Sequence, residues 1–442
     1  MRTLLHPNRA VALIFLAVIL MGTGLLMLPV SNAEGISAPW ITAFFTAVSA
    51  VCVTGLATVD TGTYWSTFGQ VVILLLFQLG GFGIMTVATL LGLLVNSSLR
   101  LRTRMIAQSE SRSLGMGDVV SVAKVVLLVT FVMELLVAGL LTLRLHFAYG
   151  QPWGEAAWSG LFHSVSAFNN AGFSIYPDNL MGYATDALIL LPVMAAIVIG
   201  GIGFPVLNDL RRKISDPRHW SLHTKLTLSG TALLLFGGFA SLLVFEWSNP
   251  GTLGTMSLPD KLLSAAFASV SARTAGFNSI DIGALTHESW ALHYFLMFVG
   301  GGSAGTAGGV KVGTIAILAL LVIAEIRGRQ DSEAFGRRVG GAAQRQAITV
   351  LVLGSTMIVL GTLVILRDTD IPTDQVIFEV ISAFGTVGLS TGITASLPES
   401  SQLMLTVLMY VGRVGTITLA ASLALGEHRM SYRYPEEHPI VG

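Results

Sequence analysis

Four short segments, "VTGLAT", "NAGFSI", "TAGFNS" and "TVGLST", align on Gly55, Gly172, Gly276 and Gly388, at separations of 117, 104 and 112 residues. Each reads as a small or polar residue, a second small residue, glycine, then Leu or Phe, with a hydroxyl residue nearby. Each also closes a short amphipathic run: Trp40 to Ala50, Ala156 to Ala167, Lys261 to Val270 and Gln375 to Ala383. These runs are too short to cross a bilayer, which takes roughly 20 helical residues, and suit helices that enter a membrane and turn back. Long apolar runs flank them, including Ala10 to Val30, Val119 to Leu143, Leu226 to Phe245 and Ala347 to Ile365. One such match means little in a chain with 48 glycines. Four in the same order and at a similar interval specify an internal repeat.

The setting is a membrane. Apolar residues make up 53% of the chain and charged residues 11%, with a mean hydropathy of +0.73, and soluble domains carry about twice that share of charge. Nineteen of the 25 Lys and Arg residues fall in five stretches: Arg2 and Arg9, Arg100 to Lys124, Arg211 to Lys225, Arg327 to Arg345, and Arg429 with Arg433. Asn32 to Thr67 contains none. The positive-inside rule therefore predicts a multi-pass cell-membrane protein with both termini and three basic loops in the cytoplasm. The first apolar run lacks a convincing cleavage pattern and reads as a retained helix. Cys52 is the single cysteine, which excludes an internal disulfide and gives no support to a zinc cluster.

The pattern predicts an all-α polytopic protein of four helix, pore-helix, helix repeats around one pore, with eight membrane-crossing helices and four re-entrant ones. The expected boundaries are residues 1–100 (pore helix and filter about 40–56), 113–213 (about 156–173), 222–326 (about 261–277, with a glycine-rich break at 300–311) and 343–428 (about 375–389), then a cytoplasmic tail, 429–442. Non-helical backbone at membrane depth is tolerated where it is buried in protein or lines a water-filled cavity. Four such segments around an axis would offer carbonyl oxygens to a dehydrated monovalent cation. The carbonyl ends of the short helices would favour that charge. No ring of carboxylates accompanies the motif. A packing role for the glycines, as in small-residue helix contacts, is the competing reading.

A second glycine cluster, "FVGGGSAGTAGGVKVGT", interrupts the second long helix of the third repeat. Six glycines lie between 300 and 309, and at about 1 kcal/mol each relative to alanine they predict a break. The GxxxxGK[ST] spacing of a phosphate-binding loop is absent. Arg413, within "LMYVGRVGTITLA", is an intramembrane charge expected to face protein or a water-filled path. Arg273 directly precedes the third motif and is expected to point behind it, toward carbonyls of adjoining pore loops, with Glu379 or Glu134 as carboxylate partners; an arginine exposed to water at the outer mouth is the alternative.

On these four motifs the whole chain resembles the membrane subunit of the Ktr/Trk/HKT superfamily of potassium transporters, and its compact form is most similar to the Ktr branch. The resemblance implies a selectivity filter lined by backbone at Val53, Thr54 and Gly55; Asn170, Ala171 and Gly172; Thr274, Ala275 and Gly276; and Thr386, Val387 and Gly388. Some plant relatives carry serine at the first glycine and favour sodium, so Gly55 implies potassium. It further implies an intramembrane gating loop of Gly300, Gly301, Gly302, Ser303, Gly305, Thr306, Gly308 and Gly309, with Lys311 beside it and Arg413 completing the barrier. The implied ligand is K+, with Na+ left open as a coupling or activating ion, and no organic cofactor is expected in this chain. The implied assembly is a homodimer on a cytosolic ring of nucleotide-binding regulatory subunits, in contact with membrane lipid and with no nucleic-acid partner.

Three rivals remain at this stage. A sodium or weakly selective monovalent pathway would use the same backbone. A secondary solute transporter accounts for one broken helix but not for four outer motifs. An intramembrane hydrolase would have to use dispersed groups such as His163, Asp209 or Glu134, without an HExxH or GxSxG motif. The chain is therefore not expected to be an enzyme.

Overall fold

The computed structural model describes residues 7–95, 119–213 and 216–415, and the chain there is almost entirely helical. The expected tail at 429–442, the basic residues from Arg100 to Arg112 and the outer edges of the first, second and fourth repeats lie outside the described residues. The helices are α1 (Pro7–Leu26), α2 (Trp40–Val51), α3 (Thr67–Val95), α4 (Val119–Tyr149), α5 (Trp153–Phe168), α6 (Ala187–Ile202), α7 (Phe204–Lys213) and α8 (Leu222–Glu246). They continue as α9 (Leu258–Ser271), α10 (His287–Phe298), α11 (Val312–Ile326), α12 (Gly341–Asp368), α13 (Thr373–Gly385) and α14 (Glu399–Tyr410). A two-stranded hairpin pairs Glu333–Ala334 with Arg337–Arg338.

Among the described residues three helices are long and apolar enough to cross a membrane: Val126–Tyr149 of α4, α8 and α12. A fourth span is available if α6 and α7, bent by 95° at Gly203, are taken together. The other long apolar runs are broken. Helix α3 changes direction at Gly83 (φ 63°, ψ 148°), α10 and α11 are parted by residues 299–311, and α14 runs into a π-helical turn at Val411–Gly415. In the apolar window of α8 only 11% of residues are buried within the protein, and Leu233, Phe236 and Val244 are more than 70% exposed. Apolar surface on that scale requires an apolar surrounding phase.

The short helices α2, α5, α9 and α13 are the most buried elements. Proline starts each one: Pro39, Pro152 and Pro372 immediately precede α2, α5 and α13, and Pro259 lies in the first turn of α9. Its fixed φ suits a helix entry, and its missing N–H costs nothing where that donor would have no helical partner. The core lies between neighbouring repeats. Phe77 of α3 packs on Phe162 and Phe173 at ring-centroid distances of 5.6 and 6.0 Å, Phe378 of α13 packs on Trp290 and Tyr294 of α10, and α14 packs on α2. Tyr410 closes the circle by donating to the Ala12 carbonyl at 2.8 Å.

Candidate functional site

The four aligned triplets share one backbone conformation. Their first residues, Val53, Asn170, Thr274 and Thr386, have φ of 57°, 58°, 67° and 48°, and their glycines, Gly55, Gly172, Gly276 and Gly388, have φ of 89°, 69°, 77° and 97°. The middle residues Thr54, Ala171, Ala275 and Val387 are not in that left-handed region. A non-glycine residue held there costs about 1 to 3 kcal/mol and persists only where the surroundings enforce it.

What enforces it is the helix behind. The N–H groups of Thr54, Ala171 and Val387 each donate at 2.8 Å to the carbonyls of Ser49, Ser166 and Ser382, and that of Ala275 donates to Ser271 at 3.0 Å. The serine hydroxyls also serve the triplets. Those of Ser49 and Ser382 accept from Gly55 N and Gly388 N at 3.1 Å, while those of Ser166 and Ser271 donate to the carbonyls of Phe173 and Phe277. These four serines escaped the sequence reading, although "SA" stands six residues before the glycine in three repeats and five before it in the third.

The glycines knit the triplets into a cycle. A Cβ on Gly55 would collide with the carbonyl oxygen of Ala171, one on Gly172 with that of Ala275 at 2.7 Å, one on Gly276 with that of Val387, and one on Gly388 with that of Thr54. Each repeat thus presses its glycine against the middle carbonyl of the next, and the fourth returns to the first. All four glycines open on one cavity of about 400 Å³, which Asp60, Asp178 and Tyr176 also line. At the first positions of the third and fourth triplets the hydroxyls of Thr274 and Thr386 are buried without a hydrogen-bond partner. Buried polar oxygens left this way suit a ligand that accepts no hydrogen bond and donates none, such as a bare cation.

Residues 299–311 lie against the same triplets. Val299 and Val310 pair in a parallel bridge, and Gly300 N donates to Val310 O at 2.8 Å. Gly302 N and Thr306 N reach Gly201 O and Gly200 O at 2.8 and 3.1 Å, so the segment is laced to the end of α6, and Gly203 and Gly305 meet at that seam. The Ser303 carbonyl packs on Gly203, and Ala307 lies against Gly301. The Thr306 hydroxyl bonds Phe168 O (3.1 Å) and the Asn170 side chain (3.2 Å). Gly308 has no room for a Cβ beside the Thr386 hydroxyl, and Gly309 sits at φ 63°. Lys311 donates to Ala307 O at 2.6 Å and Gly308 O at 3.3 Å. Arg413, 6% exposed, donates to Thr306 O at 2.6 Å and to Gly80 O at 2.7 Å, bridging this segment to α3.

A glycine pair stands at three of the four breaks, and this correspondence between repeats was not read from the sequence. Gly80 and Gly81, Gly200 and Gly201, and Gly300 and Gly301 occupy corresponding places, and in the fourth repeat the pair reads Gly412 and Arg413. A Cβ on Gly80, Gly200 or Gly412 would strike the carbonyl of Val51, Phe168 or Phe384, at the ends of the short helices. Arg413 therefore projects from the position at which the other three repeats have no side chain.

The partners expected for Arg273 need correction. It is 5% exposed and points behind the triplet, but its Nη2 donates to Gly300 O at 2.7 Å and its Nη1 to Thr231 O of α8 at 3.5 Å, neither of which belongs to a pore loop. Glu379 accepts instead from Ser390 and Thr394, and Glu134 from Gln78 and Asn169. Both carboxylates accept from neutral groups of their own repeats or the adjoining one, and Oε2 of Glu379 is buried without a hydrogen-bond partner. His163 is a packed residue whose ring nitrogens meet Ser159 O at 2.8 Å and Ser174 Oγ at 2.9 Å, and Asp209 accepts from Ser221 N and Thr224 Oγ1. The dispersed groups of the hydrolase reading are thus each engaged in separate structural contacts.

The family model described as "TrkH: Cation transport protein" matches residues 4–432. The chain belongs to that family. As a TrkH-family protein it is 40% identical over 436 residues to Ktr system potassium uptake protein B of Bacillus subtilis (strain 168), covering 99% of this chain and 97% of the relative. It is 36% identical to the potassium/sodium uptake protein NtpJ of Enterococcus hirae, covering 100% and 98%, and 35% identical to Ktr system potassium uptake protein B of Vibrio alginolyticus, covering 98% and 94%. These similarities place it with the Ktr branch of the family. The crystal structure of the potassium transporter TrkH from Vibrio parahaemolyticus shares the fold, with a TM-score of 0.68 at 19% identity over 93% of this chain and 84% of that one.

Proposed function

We propose that this chain takes up potassium across the cell membrane through a filter of four triplets, Val53 to Gly55, Asn170 to Gly172, Thr274 to Gly276 and Thr386 to Gly388. The observation that carries this reading is the cycle of glycine-to-carbonyl contacts. With the triplet N–H groups turned back to the short helices, the carbonyls remain for the axis, where they replace the hydration shell of the ion. The four short helices are then re-entrant, eight further passes complete the four repeats at the boundaries given above, and both termini face the cytoplasm. Residues 300–311 form the gate on the inner side of the filter, with Lys311 and Arg413 as its fixed charges. The inside-negative potential drives entry at about 2.3 kcal/mol per charge for each 100 mV. A homodimer, a cytosolic nucleotide-binding ring and surrounding lipid complete the assembly.

The name of the Enterococcus hirae relative favours one second reading, in which sodium is carried or required as well. Purified protein in liposomes separates the two. Potassium influx exceeding sodium influx at equal gradients supports the filter, equal fluxes support the weakly selective pathway, and the absence of ion flux overturns both.

A further inference from the structure

We propose that Arg273 is a latch between filter and gate, so that the ion held by the third triplet and the position of residues 300–311 are linked; this rests on the filter and gate reading above. The backbone of Arg273 is bonded directly to Thr274, the first residue of the third triplet. Its guanidinium donates to Gly300 O, the first glycine of the interrupting segment, at 2.7 Å. Its Nη1 contact to Thr231 O is long at 3.5 Å, and Nε has no partner. The Thr274 methyl also lies beside Gly300, 3.4 Å from where a Cβ would stand. A displacement of either segment is therefore transmitted to the other through this side chain, in addition to the Thr306–Asn170 and Gly308–Thr386 contacts.

The other repeats hold Cys52, Asn169 and Gly385 immediately before their triplets, and none matches this reach. Asn169 is turned away, toward Gln78 and Glu134. The third repeat is also one residue shorter. Ala275 N bonds a carbonyl four residues back, whereas its counterparts bond five back, which leaves Arg273 at the corner between helix and triplet. Burying a guanidinium on neutral carbonyls is costly, and a packing role would be filled at lower cost by an apolar side chain. A charged fork that joins two moving parts accounts for retaining it. Linkage makes the coupling reciprocal: if ion occupancy shifts the loop, loop position shifts ion affinity by the same factor.

The test uses the full chain in liposomes with Ser303→Cys as a reporter, since Ser303 is partly exposed and the native Cys52 is buried. The rate of modification by a membrane-impermeant thiol reagent from the gate side is compared in K+ and in choline, alongside K+ flux. A latch predicts rates that differ by about 5-fold or more between the two cations. Adding Arg273→Gln should bring the ratio close to one. If R273Q does not fold, Arg273→Lys, a point donor that cannot fork, should reduce the ratio at least about twofold. A ratio of one in the reporter with K+ flux intact overturns the latch and leaves the filter standing, as does an undiminished ratio in whichever Arg273 variant folds. Loss of K+-preferring flux in the reporter and the parent chain overturns the filter reading and the latch with it.

Discussion

Replacing Gly276 by serine isolates what the glycine ring contributes. The residue has φ 77°, and its new Cβ would collide with the Val387 carbonyl while lying 3.2 Å from the Cα atoms of Gly172 and Gly388. Backbone strain alone costs about 1 to 3 kcal/mol. Gly35 has nearly the same φ, 71°, but nothing within 4 Å, so Gly35→Ser carries the strain without the collision. Drawing an oxygen of roughly half an electronic charge back by roughly 0.6 Å from a monovalent cation weakens their attraction by about 0.5 kcal/mol at an effective dielectric constant of 20. One displaced carbonyl then changes K+ affinity about twofold. Four, if the cycle relaxes as a unit, lose about 2 kcal/mol, roughly 30-fold. Paired K+ and Na+ flux measurements on liposomes, with thermal melting of the same preparations, read both effects. The expected result is a similar loss of melting temperature in the two variants with a fall in K+ preference confined to G276S. An unchanged preference in folded G276S, or an equal fall in G35S, would refute the reasoning.

Three other perturbations follow from the geometry. Arg413→Ala removes the donors to Thr306 O and Gly80 O and should raise resting K+ leak by about tenfold, the equivalent of one buried charge-assisted hydrogen bond; unchanged leak in the folded variant removes its role in the barrier. Ser382→Ala deletes the acceptor of Gly388 N and should cost about 1 kcal/mol in stability and lower K+ preference, whereas a selectivity identical to the parent would show that the hydroxyl does not position the triplet. Asp186, which caps the start of α6, experiences burial that raises its pKa, but hydrogen bonds from Arg144, Tyr149 and the Leu188 N–H outweigh it and hold the carboxyl below its ordinary value. Its contribution to stability is thus present above the ordinary aspartate range and lost as pH falls through the depressed value. Asp186→Asn should flatten the acid limb of the melting profile, and an unaltered limb would remove that assignment.

The repeats were legible because the restraint on them is local. A triplet that needs left-handed backbone at its third position calls for glycine, and a helix too short to cross calls for a turn at membrane depth; both are visible at Gly55, Gly172, Gly276 and Gly388. The break at residues 299–311 was legible for a similar reason. What the string of residues concealed is pairing across repeats. Nothing local indicates that Arg273 meets Gly300 rather than a carboxylate, because its partner is a backbone carbonyl, which every residue carries. The lengths of the crossing helices were also overread: hydropathy ran through Gly83, Gly203 and Val411–Gly415, where the glycine pairs bend or unwind the chain against the ends of the short helices. The serines and prolines of the short helices were open to discovery, since each recurs in every repeat, but common residue types stand out only once the repeats are aligned.

The closing contact of the cycle, Gly388 against Thr54, has a consequence for how the protein is made. The other three contacts join repeats that follow one another on the ribosome, whereas this one joins residues 334 positions apart. At about 5 to 20 residues per second, the first triplet waits roughly 20 to 70 s for its last neighbour. During that interval the nascent chain grows from one triplet to three, and the cycle of glycine contacts stays open. On the proposed function, a chain terminated early should therefore leave the membrane's ion gradients intact, because the filter closes only with the final quarter.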